Sequence, residues 1–573
     1  MTKTFAEGTN DRSLKELTNI IQRNANTSES IKELVPQVEK AITIPDYGHA
    51  KQLERIDEVI LMKRKYRLRN TQKLAVLLLL KNEHSTLAQV STGEGKTLIV
   101  VTAALIKTLC GEKVDIVTSS SVLAKRDAEI NSDIYKHFKV EVSHNCNEEI
   151  EQRKTAYSSK VIYGELSNFQ RDYLLDHFYG KNILGKRNFN QVNVIVDEVD
   201  SMLLDKGNNM LYLSHDLPGM DKLESVYIFI WSWGTGTDQT SSQWDEGLHQ
   251  FLQLKHNCKV TLQSLKAVFT SNVSFFKLYK NLYGLTGTLG SEVERNILTQ
   301  MHGVDFFTVP TAKVKQLEEF PPVVCPNSTE WAKRIHNETK NLTEFGRSVL
   351  IIAETVKDAE DLFNTIGGKA LLYTREYNEF DLVKGTKDLA KGEIIIATNL
   401  AGRGTDIKVS NELSQAGGLH VILSYLPSNV RIEEQAFGRT ARCGEKGTAQ
   451  LIIIDPNSKS DPVTGAKRRS NIFRLKNERN EEEVRRLSEV KLYYENQILL
   501  EEDCFQEFHK TYLNLKRYSS ASFTLSTDAE LSAILMDAVL EKWAFWLDSN
   551  SKLIQNCASE MSRKQMRIPA VNC

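Results

Sequence analysis

Seven residues, Ser91-Thr-Gly-Glu-Gly-Lys-Thr97, constrain this chain more than any other stretch of it. They follow an apolar run that ends at Val90 and precede a helical pattern from Leu98 to Leu109. Strand, glycine-rich loop and helix in that order is the context of a phosphate-binding P-loop. A loop of small residues brings its backbone N–H groups close to an anion, and the positive end of the following helix adds to them. In such a loop Thr92, Gly93, Glu94 and Gly95 surround the phosphates, the Lys96 ammonium meets the β- and γ-phosphates, and the Thr97 hydroxyl holds Mg2+. The pattern GxxxxGK[ST] begins with a glycine where this chain has Val90. A glycine turn ahead of an ordinary helix would read the same way in isolation, so the remaining motifs decide.

Further along, Val194-Ile-Val-Asp-Glu-Val-Asp-Ser201 is an apolar strand ending in two carboxylates. Asp197 is placed to hold Mg2+, and Glu198 to orient and deprotonate the attacking water. Carboxylates after a strand also cap helices, but both motifs in this order, on the right elements, point to ATP hydrolysis. Gln72, upstream, carries an amide that can pair bidentately with adenine; by itself it would read as a solvated helix residue. In the second half, Ala397-Thr-Asn-Leu-Ala-Gly-Arg-Gly-Thr-Asp406 closes a strand, and Gln435-Ala-Phe-Gly-Arg-Thr-Ala-Arg-Cys-Gly444 follows. Arg439 and Arg442 stand three apart and share a helix face. Guanidinium groups from a second domain stabilise charge on a transferring phosphoryl group and make hydrolysis depend on closure. The plain alternative is two arginines on a solvated helix.

Apolar β-rich runs at Val114–Thr118, Val161–Tyr163, Val192–Val196, Val349–Ile352, Ile394–Ala397 and Leu451–Ile454 alternate with helix-length segments. That rhythm predicts an α/β fold with two tandem parallel sheets covered by helices. It breaks between about 205 and 270, a stretch containing Trp231, Trp233 and Trp244. These would form either the small core of an insertion or an apolar surface for a client segment. A formal net charge of -1 exerts no overall pull on nucleic acid. The eight cysteines form no CxxC or Cys/His cluster, so neither a metal site nor a disulfide framework is expected. With no apolar leader, and with Val226–Trp233 too short to span a bilayer, the expectation is a cytoplasmic protein.

The phrases Thr92-Gly-Glu-Gly-Lys-Thr97, Val122-Leu-Ala-Lys-Arg-Asp-Ala-Glu129, Asp197-Glu-Val-Asp-Ser201, Leu285-Thr-Gly-Thr288, Ala397–Asp406 and Gly417-Gly-Leu-His420 together resemble the SecA family, ATPases that drive bacterial preprotein translocation. The resemblance runs from about Arg67 to Asp455. It implies two RecA-like domains of the DEAD-type helicase and SecA motor architecture. Residues 67–204 with 271–310 would form the first and 311–456 the second. Residues 1–66 would be an N-terminal helical segment, 205–270 an inserted domain like a reduced preprotein cross-linking domain, and 457–573 a C-terminal helical region.

Carried onto this chain, the resemblance implies that Gln72 contacts adenine, that Lys96 and Thr97 hold the phosphates and Mg2+, and that Asp197 and Glu198 serve the metal and the attacking water. Thr286 and Thr288 would belong to a coupling motif. Arg403 and Asp406 would face the nucleotide from the second domain, Arg439 and Arg442 would be arginine fingers, and Gly404 and Gly438 would permit close backbone approach. It also implies an unfolded or preprotein polypeptide as partner, peripheral contact with a membrane translocon, and no nucleic acid. The departures concern the substrate: Met202-Leu-Leu-Asp-Lys-Gly-Asn-Asn209 replaces the family's Asp-Glu-Ala-Arg-Thr-Pro segment, the insertion is short, and 117 residues follow Pro456. Cys443 stands where a Gln is more familiar. A DEAD-type RNA or DNA helicase, or a module whose ATP site only switches partner affinity, are the competing readings. Basic runs at Lys63–Arg69 and Lys467–Arg469 fit a solvated helix face or linker better than a nucleic-acid groove.

Overall fold

The computed structural model describes residues 11–46, 48–216, 255, 264–367, 370–373, 388–398, 407–455, 465–522, 526–551 and 553–554. In the first half, strands β1 (Thr86–Val90), β2 (Lys113–Thr118), β3 (Val142–His144), β4 (Val161–Glu165) and β5 (Val192–Asp197) precede a hairpin of β6 (Met210–Asp216) and β7 (Ser264–Ser271), after which come β8 (Asn281–Thr286) and β9 (Asp305–Val309). Seven of them make one sheet in the order β3-β4-β2-β5-β8-β1-β9, parallel throughout. Runs such as Val194-Ile-Val196 and Ile116-Val117 are buried, as a sheet covered on both faces requires. The order places β8 between β1 and β5, so the turns after all three strands emerge side by side at the carboxyl edge of the sheet. Ligands of open α/β sheets bind at that edge.

The second half repeats the plan. Strands β10 (Gln316–Glu319), β11 (Val323–Cys325), β12 (Ser348–Ala353), β13 (Ala370–Tyr373), β14 (Ile394–Thr398), β15 (Leu419–Leu423) and β16 (Lys446–Ile454) form a parallel sheet ordered β10-β16-β15-β12-β14-β13, with β11 also on β16. The expected α/β architecture of two parallel-sheet domains is therefore what the chain adopts.

Ahead of β1 lie the helices Leu14–Arg23, Glu29–Thr43 and Gly48–Arg64. Their apolar faces have no core of their own. Leu17, Ile21, Ile31, Val35, Leu53 and Ile56 join the core that also holds Leu78, Ile99, Val114 and Phe307 of the first sheet domain. Both sheets and these helices belong to one compact unit, made of residues 1–166, 185–207 and 276–489.

A second compact unit is assembled from residues 167–184, 208–275 and 490–573. Its core joins Leu174 and Phe178 to Phe269 of β7 and to Phe505, Tyr512, Leu540 and Trp543 of the helices Leu499–Ser522 and Ser526–Ser549. Phe178 stacks on Tyr512 with ring centroids 4.7 Å apart, and Phe508 on Trp543 at 4.5 Å. The Trp543 indole N–H donates to Ala267 O at 2.8 Å, satisfying its polar edge inside an apolar cluster. Trp231, Trp233 and Trp244 lie outside the described residues. Among the described residues no helix is long and apolar enough to cross a membrane.

Candidate functional site

β1 ends at Val90 and the chain turns through the glycine-rich loop into the helix Lys96–Leu109, whose N-cap is Gly95. Gly93 (φ 88°) and Gly95 (φ 80°) are both in the left-handed region, where an L side chain is disfavoured. Both are also places of close approach. A Cβ on Gly95 would lie 2.4 Å from Gln72 Nε2, and one on Gly93 would lie 3.2 Å from Arg442 Cβ. Gln72 itself is 5% exposed. Its Nε2 donates to Glu94 O at 3.1 Å and Gly95 O at 3.3 Å, and its Oε1 accepts from Arg69 N–H at 2.9 Å. The residue expected to read adenine is thus fastened to the loop backbone.

At the end of β5, Glu198 Oε1 accepts from Lys96 Nζ at 2.6 Å. Burial opposes the Lys96 ammonium, but Glu198 and Asp197 outweigh it and hold its pKa above the usual lysine value. Asp197 is pushed up to about 6, chiefly by burial, with Lys96 pulling the other way and Glu198 adding to the rise. Across the cleft stand Gln435, Arg439 and Arg442. With Thr92, Lys96, Thr97, Asp197 and Glu198 they line one cavity of about 1030 Å³, counted to its open mouth. Arg442 Nε donates to Gly438 O at 3.0 Å, which fixes its stem against the turn. Among the described residues six non-glycine residues have positive φ, and three of them, Glu198, Ala441 and Cys443, sit at this cleft or in the loop that carries Arg439 and Arg442. Backbone strain of this kind gathers where geometry is held for a purpose.

Sequence reasoning therefore finds residues that the fold brings together: Gln72 and the loop, Lys96, Thr97, Asp197, Glu198, Arg439 and Arg442. Arg403, Gly404 and Asp406 lie outside the described residues. Glu94 is in the loop but directs its carboxylate elsewhere, toward Ala312 N–H at 3.2 Å. Arg67, where the resemblance begins, pairs with Asp57 at 3.0 Å. Cys443 Sγ donates to Gly93 O at 3.3 Å, so the loop that carries Arg439 and Arg442 touches the glycine-rich loop directly.

Asp200, Arg431, Gln435, Arg126 and Asp127 have no role assigned from the sequence. Asp200 is fully buried and accepts from Thr286 Oγ1 at 2.7 Å, Thr288 Oγ1 at 3.2 Å and Gln435 Nε2 at 2.8 Å. It joins the turn after β8 to the helix that precedes the arginines, and burial pushes its carboxyl pKa up. It stood inside a quoted motif, and only its partners reveal its place. Arg431, its side chain 1% exposed, lies near Asp205 (3.0 Å), Glu483 (3.1 Å), Glu294 (3.5 Å) and Asp200 (3.9 Å). No local pattern announces that cluster. Arg126 and Asp127, from the quoted Val122–Glu129 phrase, also line the cavity.

The fit to a nucleotide with its metal rests on this donor set. Cationic groups from both domains face a half-buried carboxylate and a hydroxyl at a helix N-terminus, which suits a polyphosphate with a hard divalent cation. Two RecA-like domains with these groups at their facing edges define the class: a nucleotide-binding core of the helicase superfamily. The SecA DEAD-like domain model matches residues 2–296, half of the chain, and the helicase conserved C-terminal domain model matches residues 332–444. The chain belongs to the SecA DEAD-like family.

Its curated relatives include the protein translocase subunit SecA of Desulforapulum autotrophicum, 26% identical over 451 residues, which is 64% of this chain and 53% of the relative. That of Clostridium botulinum gives the same figures, 26% identity over 64% and 53%. The chain spans about half the length of the curated relatives it matches. Among solved structures, Dbp5 of S. cerevisiae bound to RNA and ADP BeF3 is 18% identical, with 77% of this chain and 97% of that chain covered and a TM-score of 0.45. A score at that level transfers no function.

Proposed function

We propose that this chain is an ATP-hydrolysing motor that couples closure of its two RecA-like domains to movement or remodelling of polypeptide. The observation that carries the reading is the single cleft in which Lys96, Asp197 and Glu198 of one domain face Arg439 and Arg442 of the other. Lys96, released from Glu198, binds the β- and γ-phosphates, and the freed Glu198 carboxylate orients the water and takes its proton. Thr97 and Asp197 would hold Mg2+, which when bound neutralises phosphate charge. Arg439 and Arg442 stabilise the charge that develops on the transferring phosphoryl group. Because they arrive from the second domain, hydrolysis requires closure, and closure is the mechanical output. In this reading Arg403 and Asp406 would face the nucleotide from the second domain, Gln72 contacts adenine, and the two parallel-sheet domains are the moving parts.

The partner is an unfolded or preprotein polypeptide, with peripheral contact at a membrane translocon and a cytoplasmic site of action. Family membership and translocase relatives favour polypeptide over nucleic acid. The test is the steady-state ATPase rate of the purified chain, alone, with unfolded polypeptide, and with single-stranded RNA. Glu198→Gln is expected to lower kcat by about 10²–10⁴-fold while retaining nucleotide binding. Stimulation by polypeptide and not by RNA supports the motor; stimulation by RNA alone moves the protein to the helicases.

A further inference from the structure

The two sheets are joined by residues 310–315, between β9 of the first and β10 of the second. Any change in the angle between the domains must be absorbed in or near this short segment. It is held at two points. Arg12 N–H donates to Ala312 O at 2.8 Å, and the Arg12 guanidinium Nη1 donates to Thr311 O at 3.1 Å. Ala312 N–H in turn donates to Glu94 Oε2 at 3.2 Å.

Glu94 is an unexpected residue for this task. A carboxylate in an anion-binding loop repels phosphate unless it is turned away or neutralised. Here it is both: it is 4% exposed, directed at the linker amide, and has Arg69 Nη1 at 3.6 Å. Its own carbonyl accepts from Gln72 Nε2. One loop residue therefore carries a backbone bond to the amide placed to read the base and a side-chain bond to the inter-domain linker. Arg12 comes from the segment before the first helix and grips the same peptide units.

We propose that Glu94 is a positioning residue that fastens the inter-domain linker to the glycine-rich loop, and that Arg12 clamps that linker, so that a loop rearranged by nucleotide drives the hinge. The assignment rests on the preceding reading in one respect, that nucleotide binds the loop. The linker amide is the shared element: its N–H faces the loop and its carbonyl faces Arg12. Loosening either side uncouples what happens at the phosphates from the angle between the sheets. Coupling between two such sites is typically about 5–150-fold in affinity.

The experiment measures the distance between spin labels carried by non-canonical residues at exposed Lys136 and Lys340, one in each domain, with and without ADP and beryllium fluoride. Wild type, Arg12→Ala, Glu94→Ala and Glu94→Gln are compared in the full chain, with nucleotide affinity and kcat measured in parallel. Nucleotide is expected to shift the closed-to-open ratio in wild type, and that shift is expected to fall at least threefold in Arg12→Ala and Glu94→Ala. Glu94→Gln, which keeps an acceptor for Ala312 N–H, should fall between them and wild type. Arg12→Ala should lower kcat by more than it weakens nucleotide binding, the weakening not exceeding the factor lost from the shift, a split that simple loosening of the fold would not produce. A wild-type-sized shift in both alanine variants overturns the proposal. Failure of wild type to bind nucleotide would remove the reading beneath it, and the clamp alone would then be judged by whether Arg12→Ala broadens the nucleotide-free distance distribution.

Discussion

Ala441 sits between Arg439 and Arg442 with φ of 53°, a left-handed conformation that costs a residue bearing a Cβ about 1–2 kcal/mol. Ala441→Gly relieves it, less the extra entropy of glycine in the unfolded chain. We expect a gain of about 0.5–1 kcal/mol in unfolding free energy, with kcat lowered as the fingers lose their fixed aim. Denaturant titration beside ATPase assays separates the two effects. His420 gives a prediction of opposite character. It is fully buried, its Nδ1 lies 2.6 Å from Thr448 Oγ1, and burial, aided by Arg347, pushes its pKa down to about 3. In the unfolded chain the same imidazole titrates near about 6.5. The folded state therefore binds fewer protons below that pH, so the contribution is fully present above 6.5 and is lost as pH falls toward about 3. Between pH 6.5 and 5 the loss from this group approaches about 2 kcal/mol, and His420→Gln should flatten the pH dependence of urea unfolding by that amount. The residues that line the cleft were legible at this scale because phosphate chemistry demands particular side chains at fixed spacings. Asp200 was not, because an aspartate beside a strand end looks the same whether it meets water or Thr286, Thr288 and Gln435.

Among elements, the helix Val430–Phe437 carries the most concentrated charge problem. Arg431 on it is surrounded by Asp205, Glu294, Glu483 and Asp200; Glu483 also pairs with Arg486 at 2.6 Å, so removing the Arg431 guanidinium would strip the counter-charge chiefly from Asp205 and the fully buried Asp200. Arg431→Met should destabilise the fold by about 3–5 kcal/mol in a denaturant titration. Restoring much of that loss by Arg431→Met combined with Asp205→Asn, which neutralises the nearest carboxylate at 3.0 Å, would show that uncompensated charge, and not lost packing, is the cause. β8 poses a steric constraint instead: a Cβ on Gly284 would lie 2.4 Å from Leu87 Cδ2 and 2.8 Å from Val199 Cγ2. Gly284→Ala should cost about 1–3 kcal/mol through overpacking and lower the melting temperature accordingly. The parallel strands themselves were readable, since runs such as Val192-Asn-Val-Ile-Val196 are buried on both faces and must be apolar almost throughout. The short edge strands β3 and β10 carry few such residues and escape the same pattern. So does the task of Glu94, whose partner Ala312 contributes only a backbone N–H that any residue but proline would offer.

On the scale of the whole molecule, the hydrophobic code specifies which residues are buried but not which distant partners bury them. Leu14, Leu17 and Ile21 announce an amphipathic helix; nothing in their spacing says that their core is shared with Phe307. The same holds for the unit built from residues 167–184, 208–275 and 490–573. A chain stopped at Glu489 would keep Leu174, Phe178 and Phe269 without the helices that bury them. It should bind the apolar dye ANS strongly and be cleaved first by protease within residues 167–184. That arrangement also sets a timetable for synthesis. Roughly 235 residues separate Phe269 from Cys504, so at about 5–20 residues per second the ribosome needs roughly 10–50 seconds to deliver the missing half of that core. Throughout that interval the nascent chain displays an aromatic patch with no mate, a target for holdase chaperones and a route to aggregation when they are scarce.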